Sequence, residues 1–402
     1  MYAISKFADG IILRWQNFHY TPSPATAMAY VIFNELFVAG KAMEINMIFF
    51  VLVLLLLIFN KMEISKPGEF NKDYISPDGT LAVKGIFVAL ILLSHGKGYI
   101  ELGGAYDEPY IAMQNHLNQM VVAMFLFYSG FGMMESIKKK QFAYVQSVAT
   151  KRFPNLLLNY DLAVLLFFVL GYIIDRPYTA KQLLIELTAW EGIGNSSWYI
   201  FAILVMYIAV MIAFLPKKFN QSKALEIVSI VVLTALSIAV VWGLKKVGRP
   251  GFCYNTIILF PLGFWYSYFK NTIEKLLMKN DIIYSCTLAV VVIAYILAFM
   301  HRWDRLLIFE IWAMLFCALM ILLTMKISLQ NEVLKFLGKH IFSIYILQRI
   351  PMIFLDHYGV SERHKYIFLI ASFALTTAMA VVFEFVTGKL SSAIWKPKKK
   401  LN

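Results

Sequence analysis

Lys84-Gly-Ile-Phe-Val-Ala-Leu-Ile-Leu-Leu-Ser-His95 is an unbroken apolar run with a cation at its start and a single histidine at its end. Read as a helix, it makes about three turns and rises roughly 16 Å, at ~1.5 Å per residue. Lys84 and His95 then share one face and stand about half a bilayer apart. Ionisable side chains in hydrocarbon are costly and usually carry function. The plain alternative is a lysine snorkelling at a membrane edge and a histidine packed at the far end. The pair alone leaves both readings open.

The surrounding composition places the run in a membrane. Of 402 residues, 60% are hydrophobic and 15% charged, against ~45–50% and ~25% in a soluble domain of average composition. Span-length apolar runs recur along the chain, so the expected fold is all-α and polytopic. The net charge of +13 does not point to nucleic acid. Its lysines and arginines punctuate the apolar runs as short clusters, Lys138-Lys139-Lys140, Lys151-Arg152, Lys217-Lys218 and Lys398-Lys399-Lys400, which is the topology signal of membrane helices. Cys253, Cys286 and Cys317 show no CxxC, haem-attachment or zinc spacing, so no metal site is expected.

Three regions follow. Residues 1–75 read as an N-terminal extension with one accessory hydrophobic helix at Met47–Phe59 and a polar linker rich in Pro and Gly. The first 40 residues lack the basic, apolar and small-residue order of a signal peptide, and Met43 or Met47 is an alternative start. Residues 76–390 carry about ten core spans, near 81–98, 119–136, 155–174, 197–215, 225–243, 255–269, 281–300, 306–325, 336–355 and 366–387. Residues 391–402 form a basic tail. Placing the linker in the cytoplasm puts most of the 37 Lys and Arg on that side, with the C-terminus. Lys84 then lies at the cytoplasmic edge and His95 toward the far side. The two halves of the core show no repeat, which disfavours a secondary transporter.

A basic residue, ten intervening residues and a histidine in the first core helix resembles the membrane acyltransferase 3 family. Four more landmarks resemble it in the same order. They are Met124-Phe125-Leu126-Phe127-Tyr128-Ser129-Gly130-Phe131, Lys151-Arg152-Phe153-Pro154, Ser197-Trp198-Tyr199-Ile200, and Leu337-Gly338-Lys339-His340-Ile341-Phe342-Ser343-Ile344-Tyr345. Two positions depart from the pattern. Asn155 stands where the family often has a second arginine, and Gln348 where it often has a histidine, so the latter is not read as a required base.

The resemblance implies an integral-membrane O-acyltransferase using acetyl-CoA as donor and a sugar hydroxyl of an envelope polysaccharide or lipid-linked glycan as acceptor. The expected setting is a bacterial cytoplasmic membrane, with envelope-glycan assembly proteins as partners. The core then completes the transfer alone or hands the acyl group on. Lys84, Lys151 and Arg152 are the candidates for the donor's phosphates, although without the resemblance Lys151 and Arg152 read first as ordinary positive-inside punctuation. His95 is the candidate catalyst, as general base or as acyl-carrying nucleophile. Asp161, Glu310 and Glu384 are buried acids that would orient it or serve only as structural partners. Ser129, Trp198 and Tyr345 are candidates for the acyl or acceptor pocket, against a packing role. Two alternatives stand beside this reading: another donor such as succinyl-CoA or a small acceptor, and a carrier or flippase for lipid-linked sugars. The chain has no HxxxD, GxSxG, HExxH or GxxxxGK[ST] motif.

Overall fold

The computed structural model describes residues 47–394, apart from Asn118 and Gln221. The expectations for the N-terminal start and for the Lys398–Lys400 cluster lie outside the described residues. The first described helix, α1 (Ile48–Phe59), has 12 residues. At ~1.5 Å per residue it is about 18 Å long, short of a ~30 Å hydrocarbon core.

Among the described residues, seven segments are long and apolar enough to cross a membrane. They are α2 (Leu81–Gly96) with the tight turn Lys97–Tyr99, α3 (Glu108–Leu117) leading into α4 (Met120–Lys140), α5 (Phe142–Ser147) leading into α6 (Phe153–Ile173), α9 (Lys223–Lys246), α11 (Asp281–Met300), α12 (Leu306–Lys326) and α17 (Lys365–Ile394). The short helix α7 (Ala180–Glu186) follows α6, and α8 (Trp198–Ala213) is apolar but only 16 residues long. The other two expected spans take different forms. The helix α10 (Leu259–Leu277) carries Lys270, Glu274 and Lys275 in its last turns. The segment expected at 336–355 is broken into α13 (Glu332–Lys339), α14 (Ile341–Leu347) and α15 (Arg349–His357), with α16 (Val360–Arg363) before α17.

Burial separates the inside of the bundle from its lipid face. The helix α2 is buried nearly all round, from Ala82 to Gly96, whereas α11 buries only Tyr284. Apolar residues such as Val290, Ile293 and Val382 point outward, as expected where the solvent is lipid. Lipid offers no hydrophobic drive for helix association, so close backbone approach has to hold the core. Two glycine pairs provide it. A β-carbon at Gly85 would run into the Leu334 carbonyl, and one at Gly338 into that of Leu81, locking α2 onto α13. Gly130 and Gly263 do the same for α4 and α10, against Phe260 and Phe127.

The polar linker is ordered against this core. Its first residues form β1 (Met62–Ile64), antiparallel to β2 (Ile327–Leu329) with Glu63 opposite Ser328. Asn71 donates its amide N–H to Met325 and its side chain to Thr324, at 2.8 and 3.1 Å. Lys326 reaches the Glu69 carbonyl and the Asp281 carboxylate, both at 2.7 Å. The linker thus seats beside the N-terminal end of α2, where Lys84 lies.

Candidate active site

The geometry starts from α2. Its end is pinned from outside, because Tyr110 on α3 donates its hydroxyl to the Leu93 carbonyl at 2.6 Å. Gly96 leaves room for Leu369 of α17. His95 is therefore presented at a fixed height, half-buried, into a cavity of about 580 Å³. Trp198, Phe252, Trp303, Tyr345 and Arg349 line this cavity together with the polar Gln119, Asn255 and Ser196.

The loop between α7 and α8 carries Ser196 to the ring. Its Oγ lies 3.3 Å from His95 Nε2. The loop is held on three sides. Tyr345 donates its hydroxyl to the Ser196 carbonyl at 2.9 Å, and Tyr178 donates to the Ile193 carbonyl at 2.8 Å. Asn195 donates its side-chain amide to Glu186 Oε1 at 2.6 Å, an oxygen that also accepts from the Tyr160 hydroxyl. Gly194, at φ +99°, supplies the left-handed backbone that the bend requires. Burial raises the Glu186 carboxyl from its ordinary 4.5 to about 7, against the lowering effect of these two hydrogen bonds.

The His95 ring has Gln348 and Arg349 as its other neighbours. Gln348 is fully buried and donates its Nε2 to the Tyr345 carbonyl at 3.0 Å. Its Oε1 and the Nδ1 of His95 are both buried, and neither makes a hydrogen bond. The three acids expected near His95 are not its partners. Glu384 pairs with His340 Nδ1 at 2.5 Å, Asp161 leaves Oδ1 buried and unpartnered, and the groups around the ring are Ser196, Gln348 and Arg349 and not Glu310. On the cavity wall, Asn255 donates to Gln119 Oε1 at 2.8 Å. This leaves Gln119 Nε2 and Asn255 Oδ1 buried and free, one donor beside one acceptor.

Toward the other end of α2, Tyr345 also lines a cavity of about 230 Å³ with Lys84, Tyr128, Ser129 and Tyr199. The Lys84 ammonium lies 5.5 Å from the Tyr128 ring centre, a cation–π contact. Lys84 and Tyr128 in turn line a third cavity, about 450 Å³, with Lys72, Lys139 and Lys270 at its walls. Shared residues thus link three cavities in series along α2.

The structure therefore gathers Lys84, Ser129 and Tyr345 around one cavity, and His95, Trp198 and Tyr345 around the next. It does not gather Lys151 and Arg152 with Lys84. Those two line a separate cavity with Asn155, Ser391 and Ser392, and Arg152 reaches the series through Tyr207, which also bonds Ser129. Arg152 stacks over Tyr144 at 5.0 Å. The cause is local. Pro154 cannot donate a backbone N–H, and the chain widens into a π-turn over Val148–Arg152 just before it. Such turns often mark functional sites. Sequence reasoning missed Ser196, Gln119 and Asn255, noted Gln348 only as a departure, and took Lys139 as part of a punctuating cluster. The one signal was the pair of departures and landmarks themselves: Ser196 sits two residues before Trp198, and Gln348 at the family's histidine position. Among the described residues, no three His, Cys, Asp or Glu side chains converge as a metal site.

Searches of curated proteins and of solved structures returned no match. A family model described as an acyltransferase domain matches residues 81–392, from the first residue of α2 into the last turns of α17. That match covers most of the chain, including His95, Lys84 and Tyr345 but not the linker residues of the basic cavity, and the chain belongs to the membrane acyltransferase 3 family.

Proposed function

We propose that the protein is a membrane O-acyltransferase that moves an acetyl group from cytoplasmic acetyl-CoA to a sugar hydroxyl of an envelope polysaccharide or lipid-linked glycan. The observation that carries this reading is the series of three cavities linked through Lys84, Tyr128 and Tyr345. At one end, Lys72, Lys84 and Lys139 offer cations to an anionic nucleotide, beside Lys270, which pairs with Glu274, and the acids Asp73 and Glu135. The middle cavity is narrow and aromatic, suited to the thin arm that carries the thioester. At the other end, His95 has a basic nitrogen facing a cavity walled by Trp198, Phe252 and Trp303. Aromatic faces with a few placed polar groups suit a small polar ring such as a sugar. Gln119 and Asn255 present one free donor and one free acceptor, which complement two neighbouring hydroxyls. His95 would take the proton as the hydroxyl oxygen meets the acyl carbon.

In this reading the basic end faces the cytoplasm of a bacterial cell and the C-terminus lies on the same side, in keeping with the Lys and Arg bias. The lipid bilayer surrounds the apolar flanks, and envelope-glycan assembly proteins would supply the acceptor.

The test uses purified protein in lipid vesicles with radiolabelled acetyl-CoA and glycan extracts. His95→Ala is expected to lose ~10²–10⁴ of transfer, the usual worth of a positioned base, while still binding the donor. Lys84→Ala is expected to raise the donor KM. Full turnover by His95→Ala would remove it as catalyst. Wild type that neither binds acetyl-CoA nor releases CoA, yet turns over succinyl-CoA, would move the assignment to another donor.

A further inference from the structure

We infer that Ser196 is the nucleophile that first accepts the acyl group, so that transfer runs through an acyl-serine ester. This step rests on the acyltransferase reading above. Four observations carry it. Ser196 Oγ holds the hydrogen-bond position on His95 Nε2, at 3.3 Å, within the looser range common before substrate binds. An acceptor hydroxyl activated directly by His95 would have to displace it. Behind the ring lies the Gln348 side chain, whose Oε1 is a buried acceptor without a hydrogen bond, available to hold the Nδ1 proton and leave Nε2 bare toward Ser196. Nucleophile, base and orienting group are thus ordered as in a serine triad, which is recognised by geometry and not by a sequence motif. The serine is also fixed by more than its own hydroxyl, through Tyr345 on its carbonyl and the Glu186–Asn195 contact behind it. Finally, Ser196 lines the histidine cavity and not the Lys84 cavity, while Tyr345 borders both. A covalent carrier at that border can load from one cavity and unload into the other.

The chemistry balances without an added reagent. His95 Nε2 takes the Ser196 proton as Oγ bonds to the thioester carbon. The C–S bond then breaks, and the imidazolium returns the proton to the CoA sulfur. In the second half, the acceptor hydroxyl attacks the serine ester while His95 takes its proton. The bond between the acyl carbon and Oγ breaks, and His95 protonates Oγ. Arg349 lines the same cavity with a buried, unpartnered Nε–H, a donor for the carbonyl oxygen as charge develops there.

An acyl-enzyme has a signature that direct transfer lacks: without acceptor, it exchanges labelled CoA into acetyl-CoA. The experiment measures that exchange with the full chain in lipid vesicles, alongside rapid acid quench and peptide mass analysis. Wild type is expected to exchange and to carry one acyl group on the peptide containing Ser196. Ser196→Ala is expected to lose exchange and transfer at least a hundredfold while binding acetyl-CoA as tightly as wild type. Ser196→Cys is expected to keep the adduct as a thioester, which separates chemistry from folding. The proposal is overturned if wild type transfers to an acceptor but shows no exchange. It is also overturned if Ser196→Ala retains exchange, or if the acyl group is found on His95. Wild type that handles no acyl-CoA under any condition fails the acyltransferase reading itself, and Ser196 with it.

Discussion

Gln348 shows how much a single amide can decide. An imidazole is a base at one nitrogen only when the other carries its proton, and the partner of that proton sets the ring. Gln348 is buried beside His95 with its own NH₂ committed to Tyr345, so its carbonyl oxygen is left for Nδ1–H. Gln348→Leu is therefore expected to lower kcat by about 10–100-fold, the range seen when a partner that orients a histidine is removed, with the donor KM unchanged. Gln348→Glu keeps the acceptor and is expected to restore most of the loss. A purely packing role would move KM and stability together and show no rescue. Glu186 makes a second residue-level prediction. Its carboxyl is raised to about 7 by burial, so folding favours the protonated form. The stability it contributes is complete below its ordinary 4.5 and is lost as pH rises through about 7. The melting temperature of wild type should fall across that interval, and Glu186→Gln should flatten the fall. A flat wild-type profile would refute the raised carboxyl. His95 and Lys84 were legible because an ionisable group inside an apolar run is conspicuous. Ser196, Gln119 and Asn255 were not, because a serine in a loop and two amides at helix ends are commonplace until folding gathers them.

At the scale of elements, the landmarks turn out to have mixed work. Gly130 and Gly338 mark helix crossings: each lies where a neighbouring backbone carbonyl arrives. Gly338→Ala and Gly130→Ala are expected to cost about 1–3 kcal/mol through overpacking, read as a lowered melting temperature in detergent. Gly243 in α9 has open space around it, so Gly243→Ala should instead be neutral or gain roughly 0.5–1 kcal/mol from helix propensity. Equal effects at all three would contradict the crossings. The long helices were readable from hydropathy because lipid demands continuous apolar length. The broken stretch from α13 to α15 was not, because its residues are apolar enough to pass for one span. Breaks at His340 and Gln348 separate its three pieces, and the second break delivers Gln348 and Arg349 to the ring. The linker was read as polar spacing, and its pairing with β2 depends on a partner more than 250 residues away.

On the scale of the whole molecule, the cavity series gives the fold a direction. The basic cavity lies among the start of α2, the end of α4 and the end of α10. The histidine cavity lies at the opposite ends of α2 and α4, with the start of α8. In the proposed reading, the lysines of the basic cavity and the aromatic residues of the histidine cavity stand at opposite ends of α2 and α4, so donor and acceptor would not share an entrance. This division can be measured by cysteine labelling. Lys139 is exposed at the basic cavity, and Trp303 is 68% exposed at the histidine cavity. Of the native cysteines only Cys286 is exposed, so Cys286→Ser provides the background. In sealed vesicles of known orientation, an impermeant maleimide should reach Lys139→Cys from one face only and Trp303→Cys from the other. Acetyl-CoA should protect the first site and leave the second open. Labelling of both from a single face would leave the cavities as two pockets on one surface, and a path through the membrane along α2 could not stand.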